Sequence, residues 1–168
     1  MINYVSPDRK TAGMGHVANT TGAAAVRSQA ATANRAAYTL DGSGIGIAVL
    51  DSGIYAAHNG FKNAAGASRI LANVNFTNSN LSDTADLYKH GTHVAGLAAG
   101  SLNANLEGVA PNANIVSVKV LDANGQGQAS WLLAGMNWVL QNRATYNIKV
   151  VNLSLGMNAV DSYTNDPI

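Results

Sequence analysis

The sequence predicts an α/β fold in which a parallel sheet carries helices on both faces, giving three layers. Two observations predict it. Short apolar runs recur along the chain, and each ends within a few residues at Gly, Asn or Asp, which is typical of buried parallel strands. Stretches with helical spacing separate these runs, and strands that alternate with helices form parallel sheets whose crossovers we expect to be right-handed.

Four apolar runs are predicted strands. The first, residues 45–50, stops abruptly at Asp51-Ser52-Gly53, which indicates a turn directly after a buried strand. The other three runs are residues 69–76, 114–121 and 149–155. Because ligands of open α/β sheets bind outside the carboxyl ends of the strands, we expect the chemistry near Asp51 and near residues 154–156.

Two helices are predicted between the strands. The first covers residues 93–100 and the second covers residues 130–141, for which Ser130 is a suitable N-cap. Upstream of the first strand the periodicity is weak. There we predict a short extended piece at residues 4–7 and an Ala-rich helix over residues 20–37.

The composition argues against functions that depend on charge. Only 11% of the 168 residues are charged, against about 25% in a typical soluble domain, and the ten Lys and Arg form no cluster. We therefore expect no nucleic-acid partner and no membrane partner. The absence of cysteine excludes thiolate metal sites, a cysteine nucleophile and disulfides.

Asp51 is the first candidate for chemistry. It follows the most apolar strand, and a carboxylate there can accept N–H bonds from the turn and remain ionised while partly buried. A plain capping or turn aspartate is the alternative interpretation.

His90 is the second candidate, in the segment His90-Gly91-Thr92-His93 at the start of the first predicted helix. The helix dipole disfavours an imidazolium there, so a carboxylate such as Asp51 is needed to orient the ring and stabilise its charged form. We expect His93 to point elsewhere and to be structural.

Two other kinds of site fit the sequence poorly. A metal held by Asp51, His90 and His93 is disfavoured, because helical zinc motifs place two histidines four residues apart rather than three. The glycine-rich residues 42–46 precede their strand, whereas a dinucleotide-binding loop follows one.

Five segments carry a family resemblance, and their order matters as much as their residues. They are residues 46–54, 90–96, 108–111, 118–121 and 151–156. Together they resemble the ordered signatures of the subtilisin-like serine peptidases, the subtilases. The resemblance implies that Asp51 orients His90, and that His90 is the general base and acid of a Ser-His-Asp triad acting on a polypeptide substrate. It also implies a secreted enzyme, although the first residues lack the pattern of a signal peptide.

The resemblance assigns two walls to a substrate cleft. One is the loop at residues 124–128, which taken alone is an ordinary flexible loop, and the other is the end of the last strand. The residues assigned to substrate binding are Gly125, Gln126, Gly127, Ser154, Leu155 and Gly156. A peptide laid between two such backbone edges gains main-chain hydrogen bonds.

The resemblance also divides the chain. Residues 1–10 resemble the end of an inhibitory propeptide, and residues 11–168 resemble the N-terminal half of the peptidase domain. Subtilases need a nucleophile in a Gly-Thr-Ser segment and an oxyanion asparagine, and we find neither, so we expect a truncated domain that is inactive alone. We also expect the strand edge at residues 150–155 to promote self-association.

No cofactor is expected. Many subtilases insert a calcium loop after the histidine helix, but residues 101–107 form a short loop with one acid, and calcium takes six to eight oxygen ligands. Two alternatives to a peptidase remain open: a non-catalytic peptide-binding fragment, and one half of a peptidase completed by a second chain.

Overall fold

The computed structural model describes residues 17–77, 82–102 and 106–156. The elements in chain order are α1 (Val17–Thr20), α2 (Ala23–Arg27), β1 (Ser28–Gln29), β2 (Tyr38–Thr39), β3 (Gly46–Asp51), β4 (Ile70–Asn75), α3 (His90–Ala99), β5 (Asn114–Lys119), α4 (Ala129–Asn142) and β6 (Ile148–Asn152). A single 3₁₀ turn, Asn59–Phe61, lies between β3 and β4 among the described residues. The predicted α/β fold is confirmed.

The four long strands form one parallel sheet in the order β4-β5-β3-β6. All six residues of β3 are buried, because β3 has a neighbour on each side and a layer on each face. This burial explains why its sequence is a continuous apolar run rather than an alternating one.

Successive residues of β3 point to opposite faces and supply two separate cores. On one face Ile47 and Val49 pack with Ala95 and Ala99 of α3. On the other face Ala48 and Leu50 pack with Leu132 and Val139 of α4. The helices therefore lie on both faces, as the sequence predicts.

The expectation that all crossovers are right-handed is wrong. Phe61, between β3 and β4, and Ala95, between β4 and β5, share one core, so both crossovers lie on the same face of the sheet. In the strand order β4-β5-β3-β6, the first crossover runs from β3 to β4 and the second runs back from β4 to β5. Two crossovers that lie on one face and run in opposite directions have opposite hands. The β5–β6 crossover through α4 lies on the other face and has the hand of the β3–β4 crossover. The β4–β5 crossover through α3 therefore has the opposite hand from the other two. It places the start of α3 against the end of β3.

The predicted helix over residues 20–37 is also wrong. Helix α2 ends at Arg27, and an antiparallel pair follows in which Ser28 faces Thr39 and Gln29 faces Tyr38. The Arg27 guanidinium donates to the carbonyls of the segment before β5, and such tertiary contacts outweigh the marginal stability of a short Ala-rich helix. The predicted extended piece at residues 4–7 lies outside the described residues.

Helix α3 begins at His90, the residue expected at the start of this helix, three residues before the predicted stretch 93–100. The predicted cap of the second helix needs correction. Helix α4 begins at Ala129 after the N-cap Gln128, so Ser130 is not the cap; the Gln128 side chain makes no capping bond. Strand bounds differ from the predicted ones by at most three residues, as is usual where pattern alone decides.

Candidate active site

Asp51 is the last residue of β3 and has only 1% of its surface exposed. Its Oδ1 accepts the backbone N–H of Ser52 at 2.7 Å. Its two oxygens lie 2.8 and 2.9 Å from Nδ1 of His90, which follows it by 39 residues. The end of the central strand thus presents a carboxylate to the first residue of α3.

The ring of His90 stands between this buried carboxylate and a cleft. With Nδ1 donating to Asp51, the neutral imidazole presents Nε2 as an acceptor. The side chain is 43% exposed and lines the cleft, so Nε2 is accessible to a bound molecule. The pair can accept a proton from a reacting group and return it.

The close approach of α3 to β3 depends on Gly91. A Cβ at this position would lie 2.2 Å from the carbonyl oxygen of Gly53 and 3.1 Å from Cβ of Asp51. A contact of 2.2 Å with backbone is impossible for a real side chain, so glycine alone lets the helix start so near Asp51.

Asp86 organises the start of α3, and the sequence reasoning missed it. Its Oδ1 accepts the Ser52 hydroxyl at 2.7 Å and the Lys89 N–H at 2.8 Å. Its Oδ2 accepts the N–H of Thr92 at 2.8 Å and also the Thr92 hydroxyl. A carboxylate here stabilises the positive end of the helix, and an aspartate four residues before His90 is the signal that could have revealed it.

Further polar bonds fix the segment that carries Asp86. Lys119 is only 2% exposed and donates from Nζ to the carbonyl of Ala85 at 2.5 Å. Asn75 donates from its amide to the carbonyl of Asp83 at 2.8 Å. Side chains at the ends of β4 and β5 thus fix residues 83–85, the segment that leads into α3.

Asp122 shapes one wall of the cleft. Its Oδ1 accepts the N–H groups of Asn124 at 2.8 Å and Gln126 at 2.9 Å. These bonds, the one from Gln126 first, lower the pKa of the Asp122 carboxyl from its ordinary value of 3.8. Gly125 closes the turn with a φ of 75°, a left-handed conformation that favours glycine.

The other wall is the end of β6 and the residues that follow it. The cleft is lined by all six residues predicted to bind substrate, namely Gly125, Gln126, Gly127, Ser154, Leu155 and Gly156. Val120, Ala129 and Leu132 add apolar side chains. The structure therefore brings the predicted binding residues and His90 to one cleft.

His93 and the two serines considered as alternatives take no part in the Asp51–His90 hydrogen bond. His93 is exposed on α3 and is not among the residues of the cleft. Ser52 donates its hydroxyl to Asp86, and Ser154 donates to Oδ1 of Asn152 at 2.8 Å. In the described part of the chain no three His, Asp or Glu side chains are grouped to hold a metal ion.

The described part of the loop at residues 101–107 holds an ion pair. Its one acid, Glu107, forms an ion pair with Arg27, whose guanidinium also donates to the carbonyls of Gly108 and Val109. The Glu107 carboxylate is thus already paired with a cation of the protein itself.

The α/β fold and the hydrogen bond of a buried carboxylate to a histidine beside a cleft form the arrangement that the family resemblance implies. The chain belongs to the subtilase family. The sequence profile described as "Subtilase family" matches residues 42–167. This confirms the family resemblance seen in the sequence.

Similar proteins support the assignment. Subtilisin E of Bacillus subtilis (strain 168) is 41% identical over 116 residues, which are 68% of this chain and 28% of that protein. A cuticle-degrading serine protease of Arthrobotrys oligospora is 40% identical over 118 residues, 70% of this chain and 27% of that protein. The structure of the CspB protease of Clostridium perfringens matches with a TM-score of 0.63 and 29% identity, covering 71% of this chain and 31% of that one. The chain spans less than a third of these relatives.

None of the helices among the described residues is long and apolar enough to cross a membrane.

Proposed function

We propose that the protein to which this chain belongs is a serine endopeptidase in which Asp51 and His90 are two members of a Ser-His-Asp triad. The observation that carries the proposal is the hydrogen bond between Nδ1 of His90 and both oxygens of the buried Asp51, beside a cleft lined by residues 125–127 and 154–156. Membership of the subtilase family supports the same assignment.

In the proposed reaction Nε2 of His90 takes the proton of a serine hydroxyl as its Oγ bonds to the carbonyl carbon of the peptide. The C–N bond then breaks, the amine leaves with the proton from His90, and water releases the acyl group by the same route. The carboxylate of Asp51 holds the ring and stabilises the imidazolium between these steps. No Gly-Thr-Ser segment occurs in the 168 residues, so the nucleophile and the oxyanion asparagine are supplied from other sequence.

The proposed substrate is an extended polypeptide lying between residues 125–127 and 154–156. Backbone groups on both walls can pair with its main chain, and the apolar lining at Ala129, Leu132 and Leu155 favours an apolar side chain. The propeptide of the enzyme is proposed as a second occupant of the same cleft. Secretion is part of this proposal, and recovery of the full-length product from the culture medium would test it.

Three further properties are proposed for the isolated 168-residue chain. It has no peptidase activity, because it lacks the nucleophile. It self-associates through β6, an edge strand in the described sheet whose Val150 and Val151 are each 46% exposed. It needs no calcium at residues 101–107, and an unchanged melting temperature with a calcium chelator would test this.

The test of function compares the full-length protein with its His90→Ala variant on a casein-derived peptide, and adds a serine-directed fluorophosphonate. We expect hydrolysis and covalent labelling by the parent, and loss of hydrolysis in the variant. The isolated chain should neither hydrolyse the peptide nor be labelled. A full-length protein that binds the peptide without hydrolysing it would support the non-catalytic alternative. Activity of the isolated chain that appears only with a second polypeptide would support complementation.

A further inference from the structure

Lys119 is a buried cation at the end of β5. Its side chain is almost fully enclosed, and among the described residues no carboxylate forms an ion pair with its ammonium group. Nζ donates instead to the backbone carbonyl of Ala85 at 2.5 Å. Burying an ammonium group without a contacting carboxylate costs free energy, so packing alone does not explain a lysine at this position.

The register of the sheet places Lys119 beside Asp51. The two residues are Cα partners on the adjacent parallel strands β5 and β3. Paired residues of parallel strands project from the same face, and Ile47 and Ile115, the pair four residues earlier, both lie in the core that α3 covers. The ammonium group and the buried carboxylate therefore lie on the face of the sheet that carries His90.

The hydrogen bond from Lys119 reaches a segment that also rests on the turn after β3. A Cβ on Gly53 would lie 3.3 Å from the carbonyl oxygen of Ala85. The next residue, Asp86, accepts the Ser52 hydroxyl at 2.7 Å. The ammonium group is therefore held near the end of β3 by a segment that is itself fixed.

The charge of Lys119 also acts on the wall of the cleft. Bonds from the Gln126 and Asn124 N–H groups lower the pKa of Asp122 most, and the positive charge of Lys119 is a smaller cause in the same direction. Lys89 and His93, the neighbours of His90 along the chain, are exposed, and residues 153–156 carry no titratable side chain. The other titratable groups around His90 are Asp51 from β3, Asp86 and Tyr88 from the segment before α3, Lys119 from β5 and Asp122 from the loop after β5.

We propose that Lys119 is a positioning residue for the Asp51–His90 pair, with a buried positive charge that keeps the His90 imidazole neutral until it accepts the proton of the nucleophile. The inference rests on the proposed peptidase function. Lys119 is not among the residues that line the cleft, so it acts through the pair rather than on the substrate. A general base must be neutral at the working pH, and a nearby ammonium group that water screens little opposes its premature protonation.

The test measures kcat/KM against pH for the full-length protein and its Lys119→Met variant. Removing the charge should move the acid limb of the profile to higher pH by about half a unit to one unit, the scale expected for one charge acting through protein. Lys119→Arg keeps the charge and should keep the limb of the parent. Lys149→Met is the matched control, because Lys149 is exposed and follows Ile148, which pairs with Gly46 at the other end of β3 from Asp51.

A purely structural role for Lys119 gives a different result. If the side chain only held the Ala85 carbonyl, Lys119→Met would lower kcat/KM by one factor at every pH and leave the acid limb in place, which would overturn the inference. Lys119→Gln, which keeps an N–H donor without the charge, replaces a Met variant that does not fold and should move the limb in the same direction. Failure of both neutral variants to fold would make Lys119 a folding residue and would also overturn the inference.

The signals of the His90 ring, followed by NMR against pH in the same full-length variants, give a readout that needs no hydrolysis. A titration midpoint that rises in Lys119→Met supports the role of the charge even where the parent hydrolyses no peptide, a result that overturns only the proposed function. An unchanged midpoint beside normal hydrolysis by the parent would overturn this inference alone.

Discussion

Both carboxylate oxygens of Asp51 lie within hydrogen-bond distance of Nδ1 of His90, at 2.8 and 2.9 Å. Because one oxygen also accepts the Ser52 N–H, the carboxylate cannot rotate freely, and it places the imidazole proton on Nδ1. The last residue of the central strand therefore determines which nitrogen of the first helical residue faces the cleft.

Replacing Asp51 with Asn should no longer fix the proton of His90 on Nδ1. An amide can donate to Nδ1 and leave the wrong tautomer facing the cleft, so we expect kcat of the full-length protein to fall by about 10⁴-fold with little change in KM. Steady-state kinetics would measure the loss, and circular dichroism would show that the fold is kept. A variant that retains a tenth of the parental kcat would contradict the role of Asp51.

Gly91→Ala should destabilise the protein, because the new Cβ would lie 2.2 Å from the Gly53 carbonyl and must push α3 away from Asp51. We expect a loss of about 1–3 kcal/mol in urea unfolding, together with lower kcat. Gly96→Ala on the same helix is the control, since among the described residues no atom outside the neighbouring helix backbone lies within 4 Å of its Cβ. Equal stabilities of the two variants would refute the close-packing argument.

Asp86→Ala should weaken the start of α3, because the Ser52 hydroxyl and the N–H groups of Lys89 and Thr92 lose their acceptor. We expect the free energy of unfolding to fall by about 2 kcal/mol. Asp83→Ala is the control: the substitution keeps the backbone carbonyl that accepts from Asn75, and among the described residues the Asp83 carboxylate accepts only from the Ala85 N–H, at 3.4 Å. A loss as large in Asp83→Ala would show that any change in this segment has the same effect.

Protonation of the Asp122 carboxylate should weaken the hydrogen bonds within its loop, and this should happen only at low pH. Bonds from the Gln126 and Asn124 N–H groups lower the pKa of Asp122 below 3.8 in the folded state, so the folded state binds the proton less readily than the unfolded one. The stabilisation is therefore complete above the ordinary value and is lost as the pH falls through the lowered one. Amide shifts of these two residues, followed by NMR, should titrate with a midpoint below 3.8. A midpoint at or above that value would contradict the bonds described.

The isolated chain should self-associate through β6. Light scattering should show a mass above that of the monomer, and Val150→Lys should reduce it, because charge on an edge strand opposes pairing. Val109→Lys is the matched control, since Val109 is a loop residue exposed to 45%, close to the 46% of Val150. A monomer that survives concentration would contradict this prediction.

The sequence predicted the four long strands, the two long helices and the candidate pair Asp51 and His90. The strands and helices are confirmed because each depends on a local pattern: a continuous apolar run marks a strand buried on both faces, and small residues after His90 mark a closely packed helix. The helix over residues 20–37 failed because the docking of Arg27 on Glu107, 80 residues away, is not a local property. Asp86 was missed for a related reason, since its partner Ser52 lies 34 residues earlier in the chain.

The sequence by itself determined which segments form the four long strands and the two long helices, and which family the chain resembles. Only the tertiary structure decided that the α3 crossover has the opposite hand, that Asp86 ties the turn after β3 to the start of α3, and that Lys119 donates to the Ala85 carbonyl. The physical reason is that periodicity records how each segment is buried. The hand of a crossover and a contact between two loops depend instead on how separate segments pack together.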